Sequence, residues 1–310
     1  MTWCYRLKPL KHNRQFLTSM NIRRKWLLYA IYTILISGFF FYYLFPADDI
    51  KQYIVSGFQN ARPDYTLKIG TLAPSLPPGL TLWPVSVEKD GRLLIRTDRV
   101  RVTPKLLSLS GETPSTGFRA RAYGGTIEGQ ATVALPGKKG EYPPQITVDA
   151  KLSEINLQTV DAIRTLSPHR IGGRLGGHIL YRGDGPSGVA EAELTLAGGE
   201  VTSEILKLAG LDALTFKTVE SQLVLHNNRD LQIKSMTLKG NQVSGELSGT
   251  ITFREPVEKS RLSLKGTLRP HPELFAKLGG MASLFLKNRK GSEFPFLLSG
   301  TLGEPQFSLQ

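Results

Sequence analysis

The residues that could do chemistry in this chain are few and widely spaced. The histidines are scattered along the sequence: His12, His169, His178, His226 and His271. They form no H-E-x-x-H pair, and no cluster of acidic ligands stands near any of them. Cys4 is the single cysteine, which excludes an internal disulfide framework and a cysteine-based metal site. We therefore predict that the protein binds no metal ion and needs no cofactor.

Two further patterns resemble catalytic or phosphate-binding signals. Glu191 and Glu193 stand two residues apart, but they alternate with alanine and leucine, which is typical of the solvated face of a strand. The glycine-rich run 172–177 lacks the Lys-Ser/Thr pair and the following helix of a phosphate loop. No Gly-x-Ser-x-Gly nucleophile motif is present either. The sequence predicts a non-enzymatic protein without catalytic residues.

The longest uncharged run, residues 26–45, is the element that must position the rest of the chain. At 1.5 Å per residue, about 20 apolar residues cross the ~30 Å hydrocarbon core of a bilayer, so we predict a transmembrane helix here. Aromatic residues near its two ends are the expected interfacial anchors: Trp26, Tyr29, Tyr42, Tyr43 and Phe45. A cleaved signal peptide is the alternative, but its apolar core would be shorter and would end in a small-x-small site.

Charge around this run predicts the topology of the chain. Arg23, Arg24 and Lys25 directly precede it, whereas Asp48 and Asp49 follow it, which favours a cytoplasmic N-terminus and an exported remainder. Residues 1–25 form a basic tail with seven lysines and arginines and no acid, more than half of the net charge of +13. No basic stripe interleaved with aromatics follows, so we predict no nucleic-acid partner. Met20, followed at once by Asn21, Ile22 and the three basic residues, is a more economical start than Met1, so we expect residues 1–19 to be an upstream extension.

Beyond the predicted membrane helix, the hydrophobic period changes from 3.6 to 2. Residues 46–62 have the spacing of an amphipathic connecting helix, and residues 63–310 contain at least ten amphipathic strands joined by short turns. Brief helices are expected at 157–166 and 272–286. A Gly-x-apolar-x-Gly pattern recurs at 125–129, 173–177 and 245–249, where glycine permits bends and close strand approach. We predict a mainly β fold, a curved and mostly antiparallel sheet forming an open trough or incomplete barrel.

The apolar faces of these strands have two interpretations. They would either fill an ordinary core or line a lipid-binding groove, and small residues at inward positions favour the groove because they leave space for a ligand. The candidate lining residues are Ile127, Val133, Ile146, Val148, Ile179, Leu194, Leu223, Leu225, Val243, Leu247 and Ile251.

Two stretches resemble known families of the bacterial envelope. Residues 45–54, Phe-Pro-Ala-Asp-Asp-Ile-Lys-Gln-Tyr-Ile, resemble the N-terminal region of the type II secretion system protein N (GspN) family. Residues 79–82, 100–109, 122–129 and 294–305 are similar to the AsmA-like envelope proteins. The first resemblance implies an inner-membrane protein with a periplasmic domain that works with other secretion-system components. The second implies a β-groove that carries phospholipid between the inner and outer membranes.

Overall fold

The structure is a computed structural model that describes residues 22–76, 78–108, 111, 113–134, 145–166, 170–184, 187–202, 211–274 and 293–309. The chain divides into two compact units, Met1–Pro46 and Ala47–Gln310. The predicted basic tail up to residue 21, including the proposed extension, lies outside the described residues.

Within the first unit, helix α1 (Ile22–Tyr43) covers nearly all of the predicted transmembrane segment. Its apolar side chains are exposed around the helix, and Phe39 stacks on Tyr43 with ring centroids 6.2 Å apart. Among the described residues, none of the helices combines the length and the apolar character needed to cross a membrane.

The second unit begins with helix α2 (Ala47–Ala61), which lies where the connecting helix is expected and packs against the first strand. Ile50, Ile54 and Phe58 form its half-buried side, and Lys51 Nζ donates a hydrogen bond to the carbonyl of Gly70 at 2.8 Å. The expected apolar stripe also included Tyr53, but this side chain is 82% exposed. Ile50, Ile54 and Phe58 occupy positions i, i+4 and i+8 of one helix side. Tyr53, at position i+3, therefore lies at the solvent edge of that side.

The rest of this unit is one antiparallel sheet of 15 described strands. Their bounds are β1 (Tyr65–Ser75), β2 (Gly79–Lys89), β3 (Arg92–Thr97), β4 (Arg99–Pro104), β5 (Ser115–Ala122), β6 (Gly125–Ala134), β7 (Gln145–Asn156), β8 (Arg170–Gly183), β9 (Gly188–Thr202), β10 (Leu214–His226), β11 (Asp230–Gly240), β12 (Val243–Thr252), β13 (Arg261–Pro270), β14 (Phe294–Thr301) and β15 (Pro305–Leu309). Strands follow one another in the sheet as in the sequence, except that β3 and β4 both pair with β2. The sheet is open, so the predicted mainly β, antiparallel and unclosed architecture is confirmed.

Short helical segments interrupt the meander between β7 and β8. The sequence predicted one helix over residues 157–166, but the structure has a 3-10 turn (Leu157–Thr159) followed by α3 (Asp161–Leu166). The break arises because Asn156 caps the turn through its side chain and Val160 takes an extended conformation. Of the helix expected at 272–286, residues 272–274 are helical and the remainder lies outside the described residues.

The sheet curves strongly, and one ion pair demonstrates this. Lys89 ends β2 and is paired with Glu255, three residues beyond β12. Nine strand-to-strand steps separate β2 from β12. In a flat sheet these steps would span about 43 Å, so the pair can form only because the sheet bends round. The curvature that the glycine pattern predicted is therefore present in the described sheet.

The repeated glycines lie where strands approach each other too closely for a side chain. A Cβ added at Gly177 would stand 2.2 Å from the carbonyl oxygen of Glu193, and one at Gly249 would stand 2.2 Å from that of Ser263. Both glycines also have positive φ angles, +147° and +142°, that other residues rarely adopt. Glycine is thus required at these two positions for the observed strand spacing and bend.

A candidate apolar binding face

The strand register gathers the apolar side chains onto one surface of the sheet, which we call the apolar face. Directly opposite residues of an antiparallel pair share a face. One row of such residues crosses 14 strands without a polar side chain: Pro74, Leu80, Val102, Phe118, Gly129, Ala150, Ile179, Ala192, Leu223, Ile233, Gly249, Leu264, Leu298 and Phe307. All eleven candidate lining residues lie on this face in strands β6–β12.

Most of the candidate lining residues are neither buried nor fully exposed. Ten of the eleven are half-buried, and only Val243, at 8% exposure, is buried. Within the described part of the chain, the elements in extensive contact with β4–β7 and β9–β14 are other strands of the same sheet. No described helix makes extensive contact with these strands, and the half-buried side chains of the apolar face remain partly accessible.

The two ends of this face differ in packing. Near β11–β13, Ile233, Leu262 and Leu264 form a buried cluster. Three candidate lining residues pack against that cluster: Leu223, Leu247 and Ile251. These three and Val243 belong to a core, as the alternative interpretation of the sequence held. The remaining candidates lie on β6–β10, are half-buried and do not pack against that cluster, and we call them the accessible part of the face: Ile127, Val133, Ile146, Val148, Ile179, Leu194 and Leu225.

Small residues on the face do not all leave free space, which corrects one step of the sequence argument. A Cβ at Gly129 would meet the ring of Phe118 at 2.8 Å, and one at Gly266 would meet the ring of Phe296 at 2.9 Å. Each ring therefore lies over the glycine on the neighbouring strand, an arrangement that restores apolar contact where a side chain is missing. Ala150, beside Gly129, is itself buried.

The opposite surface, the polar face, carries charged side chains in cross-strand pairs. His178 Nε2 lies 2.8 Å from Asp149 Oδ1, and Arg119 Nε lies 3.0 Å from Glu128 Oε1. Glu191 and Glu193 are exposed here, as predicted for a solvated face. Such exposed pairs contribute only ~0.2–1 kcal/mol each, so this face adds little to stability.

Two groups on the described chain have shifted pKa values, and both hold elements together. The hydrogen bond to Glu255 raises the pKa of Lys89 above its ordinary value. Burial raises the pKa of Tyr123. The Tyr123 hydroxyl accepts a hydrogen bond from the Arg96 amide at 2.8 Å, and it lies 3.4 Å from the Asp161 carboxylate. Tyr123 thereby connects β3 to α3, which is a structural role.

Two observations on the described residues concern metal binding and catalysis. No group of three or more His, Cys, Asp and Glu side chains there is arranged to hold a metal ion. Ser244 Oγ does lie 2.8 Å from His271 Nε2, the contact expected of a nucleophile and its base. Within the described chain, however, no carboxylate is hydrogen-bonded to His271 to orient it. The pair ties the start of β12 to the segment after β13.

The predicted anchor residues lie on or next to α1. Trp26, Tyr29, Tyr42 and Tyr43 are exposed on the helix, and Phe45 follows it, half-buried. The topology residues Arg23, Arg24 and Lys25 lie in its first turns.

Comparison with known proteins supplies no relative. No family model matches the chain, and neither the curated proteins nor the solved structures contain a significant match. The resemblance to the secretion and AsmA-like families therefore stays a prediction.

Proposed function

We propose that the protein binds lipid acyl chains on the accessible part of its apolar face and acts without catalysis. The observation that carries this proposal is the apolar row across 14 strands together with the seven half-buried lining residues on β6–β10, of which Ile179 is itself part of the row. Monomeric soluble proteins rarely leave a large continuous apolar patch open, and such patches mark interaction or ligand surfaces.

The size of the surface suits an acyl chain. Four strand steps from β6 to β10 span about 19 Å at standard strand spacing. An extended chain of about 16 carbons has a similar length, from ordinary C–C bond geometry. Each CH₂ group removed from water contributes about 0.8 kcal/mol, so even partial contact along the row would supply several kcal/mol.

A membrane location belongs to the same proposal. The uncharged run 26–45, the basic residues before it and the exposed apolar side chains of α1 support an inner-membrane anchor with a cytoplasmic N-terminus and a periplasmic sheet. Extraction of membranes with alkaline carbonate, followed by protease protection in spheroplasts, tests this location. Release of the chain into the carbonate supernatant would refute the anchor.

Acyl-chain binding is tested with neighbouring substitutions on opposite faces of β9. Leu194→Asp places a charge on the apolar face, whereas Thr195→Asp places the same charge on the exposed polar face. We expect the purified full chain to bind a fluorescent fatty acid, Leu194→Asp to weaken that binding at least tenfold, and Thr195→Asp to leave it unchanged. Ala192→Trp, which fills the face without adding charge, should also weaken binding.

Equal fatty-acid affinity in Leu194→Asp, Ala192→Trp and the unsubstituted chain would refute the proposed site. Circular dichroism spectra of all variants establish that a loss of binding does not reflect unfolding. Lipid copurifying with the full chain in native mass spectrometry would provide independent support.

An assembly role in a protein secretion system is the second candidate. The observation in its favour is β15 at the edge of the sheet, whose five residues are all exposed. An exposed edge can pair with a strand of a partner protein. Ending the chain after Thr301 removes β15, and this role predicts a defect in the export of folded proteins across the outer membrane. Normal export in a deletion strain would refute it.

A further inference from the structure

Four arginines come together on the polar face of β4 and β5, and we call them the arginine array. The register sets Arg99 directly opposite Arg121 and Arg101 directly opposite Arg119. Directly opposite Cβ atoms are about 5 Å apart, and alternate residues on one strand are separated by about 7 Å. The array is therefore a compact two-by-two arrangement of guanidinium groups.

The described residues neutralise the array only in part. Arg119 is paired with Glu128, and Arg101 donates a hydrogen bond to the backbone carbonyl of Leu76. In the described chain, neither Arg99 nor Arg121 forms an ion pair, and both are exposed. Like charges directly opposite each other destabilise a sheet, so this arrangement works against folding. An external anion would offset that repulsion.

We propose that the arginine array docks the polar face onto a phosphate-bearing, anionic lipid surface. Guanidinium groups bind phosphate oxygens through paired hydrogen bonds, and they lose less hydration than ammonium groups when they do so. On the same strand face the array is bordered by Thr81, Thr103 and Gly117, and by Trp83 two residues after Thr81, so the sheet surface itself does not separate lipid from nucleic acid.

The choice of a lipid surface rests on the membrane location proposed above. Because the array and the apolar face lie on opposite sides of the sheet, one face would contact head groups while the other remains free for an acyl chain. The array is thus a second binding surface, distinct from the acyl-chain site.

Docking is tested with the full chain reconstituted into phosphatidylcholine vesicles. Dye-labelled second vesicles, of phosphatidylcholine alone or mixed with phosphatidylglycerol, are added, and their capture is measured by co-sedimentation over a range of salt concentrations. Each basic residue near an anionic surface contributes about fivefold in affinity. We expect capture of the anionic vesicles only, declining with salt, and about 25-fold weaker capture for Arg99→Gln/Arg121→Gln.

The matched control removes the same charge elsewhere on the polar face. Lys234→Gln/Lys265→Gln changes exposed lysines of β11 and β13, the latter eight strands from β5. We expect this control to capture anionic vesicles within about twofold of the unsubstituted chain, because neither lysine belongs to the array. Arg121→Gln alone, which removes no ion pair, should give about a fivefold loss.

Three outcomes would overturn the proposal. The first is an equal loss of anionic-vesicle capture in the arginine and lysine variants, and the second is no loss of capture in either variant. The third is displacement of the captured vesicles by inorganic phosphate or an acidic peptide at matched charge concentration. Fatty-acid binding of the same variants separates this proposal from the acyl-chain site. Arg99→Gln/Arg121→Gln should bind fatty acid normally, and Leu194→Asp should still capture anionic vesicles.

Discussion

Replacement of Gly249 by alanine provides the sharpest test of how the sheet is held together. The new Cβ would stand 2.2 Å from the Ser263 carbonyl oxygen and 2.8 Å from the Leu264 Cα, both backbone atoms of β13. A backbone atom cannot rotate away, so β12 and β13 must separate locally. Leu264 is 5% exposed and belongs to the buried cluster, so this separation also disturbs the core.

The expected cost follows from two contributions. Holding alanine at a φ of +142° costs of order 1–3 kcal/mol, and weakening one or two ladder hydrogen bonds costs about 1 kcal/mol each. We expect a loss of about 3 kcal/mol in the free energy of unfolding, which corresponds to a fall in Tm of about 6–12 °C for a domain of this size. Urea unfolding followed by far-UV circular dichroism measures the first quantity, and thermal melts measure the second.

Gly91→Ala is the matched control for this substitution. Gly91 also has a positive φ, +74°, but no atom lies within 4 Å of an added Cβ. Gly91→Ala should therefore lower the free energy of unfolding only through the backbone conformation, by about 1 kcal/mol. A cost for Gly249→Ala no larger than that of Gly91→Ala would refute the argument that glycine is needed for the close approach of β12 and β13.

Three further outcomes are expected. Leu264→Ala should lower the free energy of unfolding by about 2–4 kcal/mol in urea, whereas Leu107→Ala, at a side chain 98% exposed, should change it by less than about 0.5 kcal/mol. Because the pKa values of Tyr123 and Lys89 are raised in the folded state, their contributions are fully present below the unfolded values of 10.0 and 10.5 and are lost as pH rises from those values through the higher folded-state pKa values. Urea midpoints that do not fall above about pH 10, or that fall equally in Tyr123→Phe/Lys89→Met, would contradict this. Asn156→Ala should cost about 1 kcal/mol in the same assay because it removes the cap on Gln158, and an unchanged midpoint would show that the cap is dispensable.

The fold class was accessible from the sequence because its signal is local. Strict alternation of apolar and polar residues defines a half-buried strand without knowledge of its partner, and short turns between such strands imply antiparallel neighbours. Local spacing was less reliable at element ends. Spacing alone put Tyr53 on the packed side of α2, because tertiary contacts are not visible in a hydrophobic period. It also predicted one helix where a turn at Leu157–Thr159 precedes α3, because side-chain capping is not visible in that period either.

The candidate site, like the fold, was predictable from the sequence only where the signal is local. The sequence identified the eleven apolar residues that the structure brings to one face, but it did not distinguish core from accessible surface. Leu247 and Leu194 have the same alternating context and are both half-buried, yet only Leu247 packs on the buried cluster. The implied membership of a secretion or AsmA-like family stays a prediction, because no family model, curated protein or solved structure matches the chain.

The sequence by itself determined that this chain makes a one-sided apolar sheet, because side-chain alternation depends only on neighbouring residues. Only the tertiary structure decided which side chains meet across strands. Arg99 and Arg121 were each recognisable as solvated strand residues, but their direct opposition depends on the register of two strands joined by a loop. The same holds for Phe118 over Gly129, and for Lys89 beside Glu255 at a separation of 166 residues. Register and curvature are properties of the assembled sheet, and a period of two is compatible with many registers.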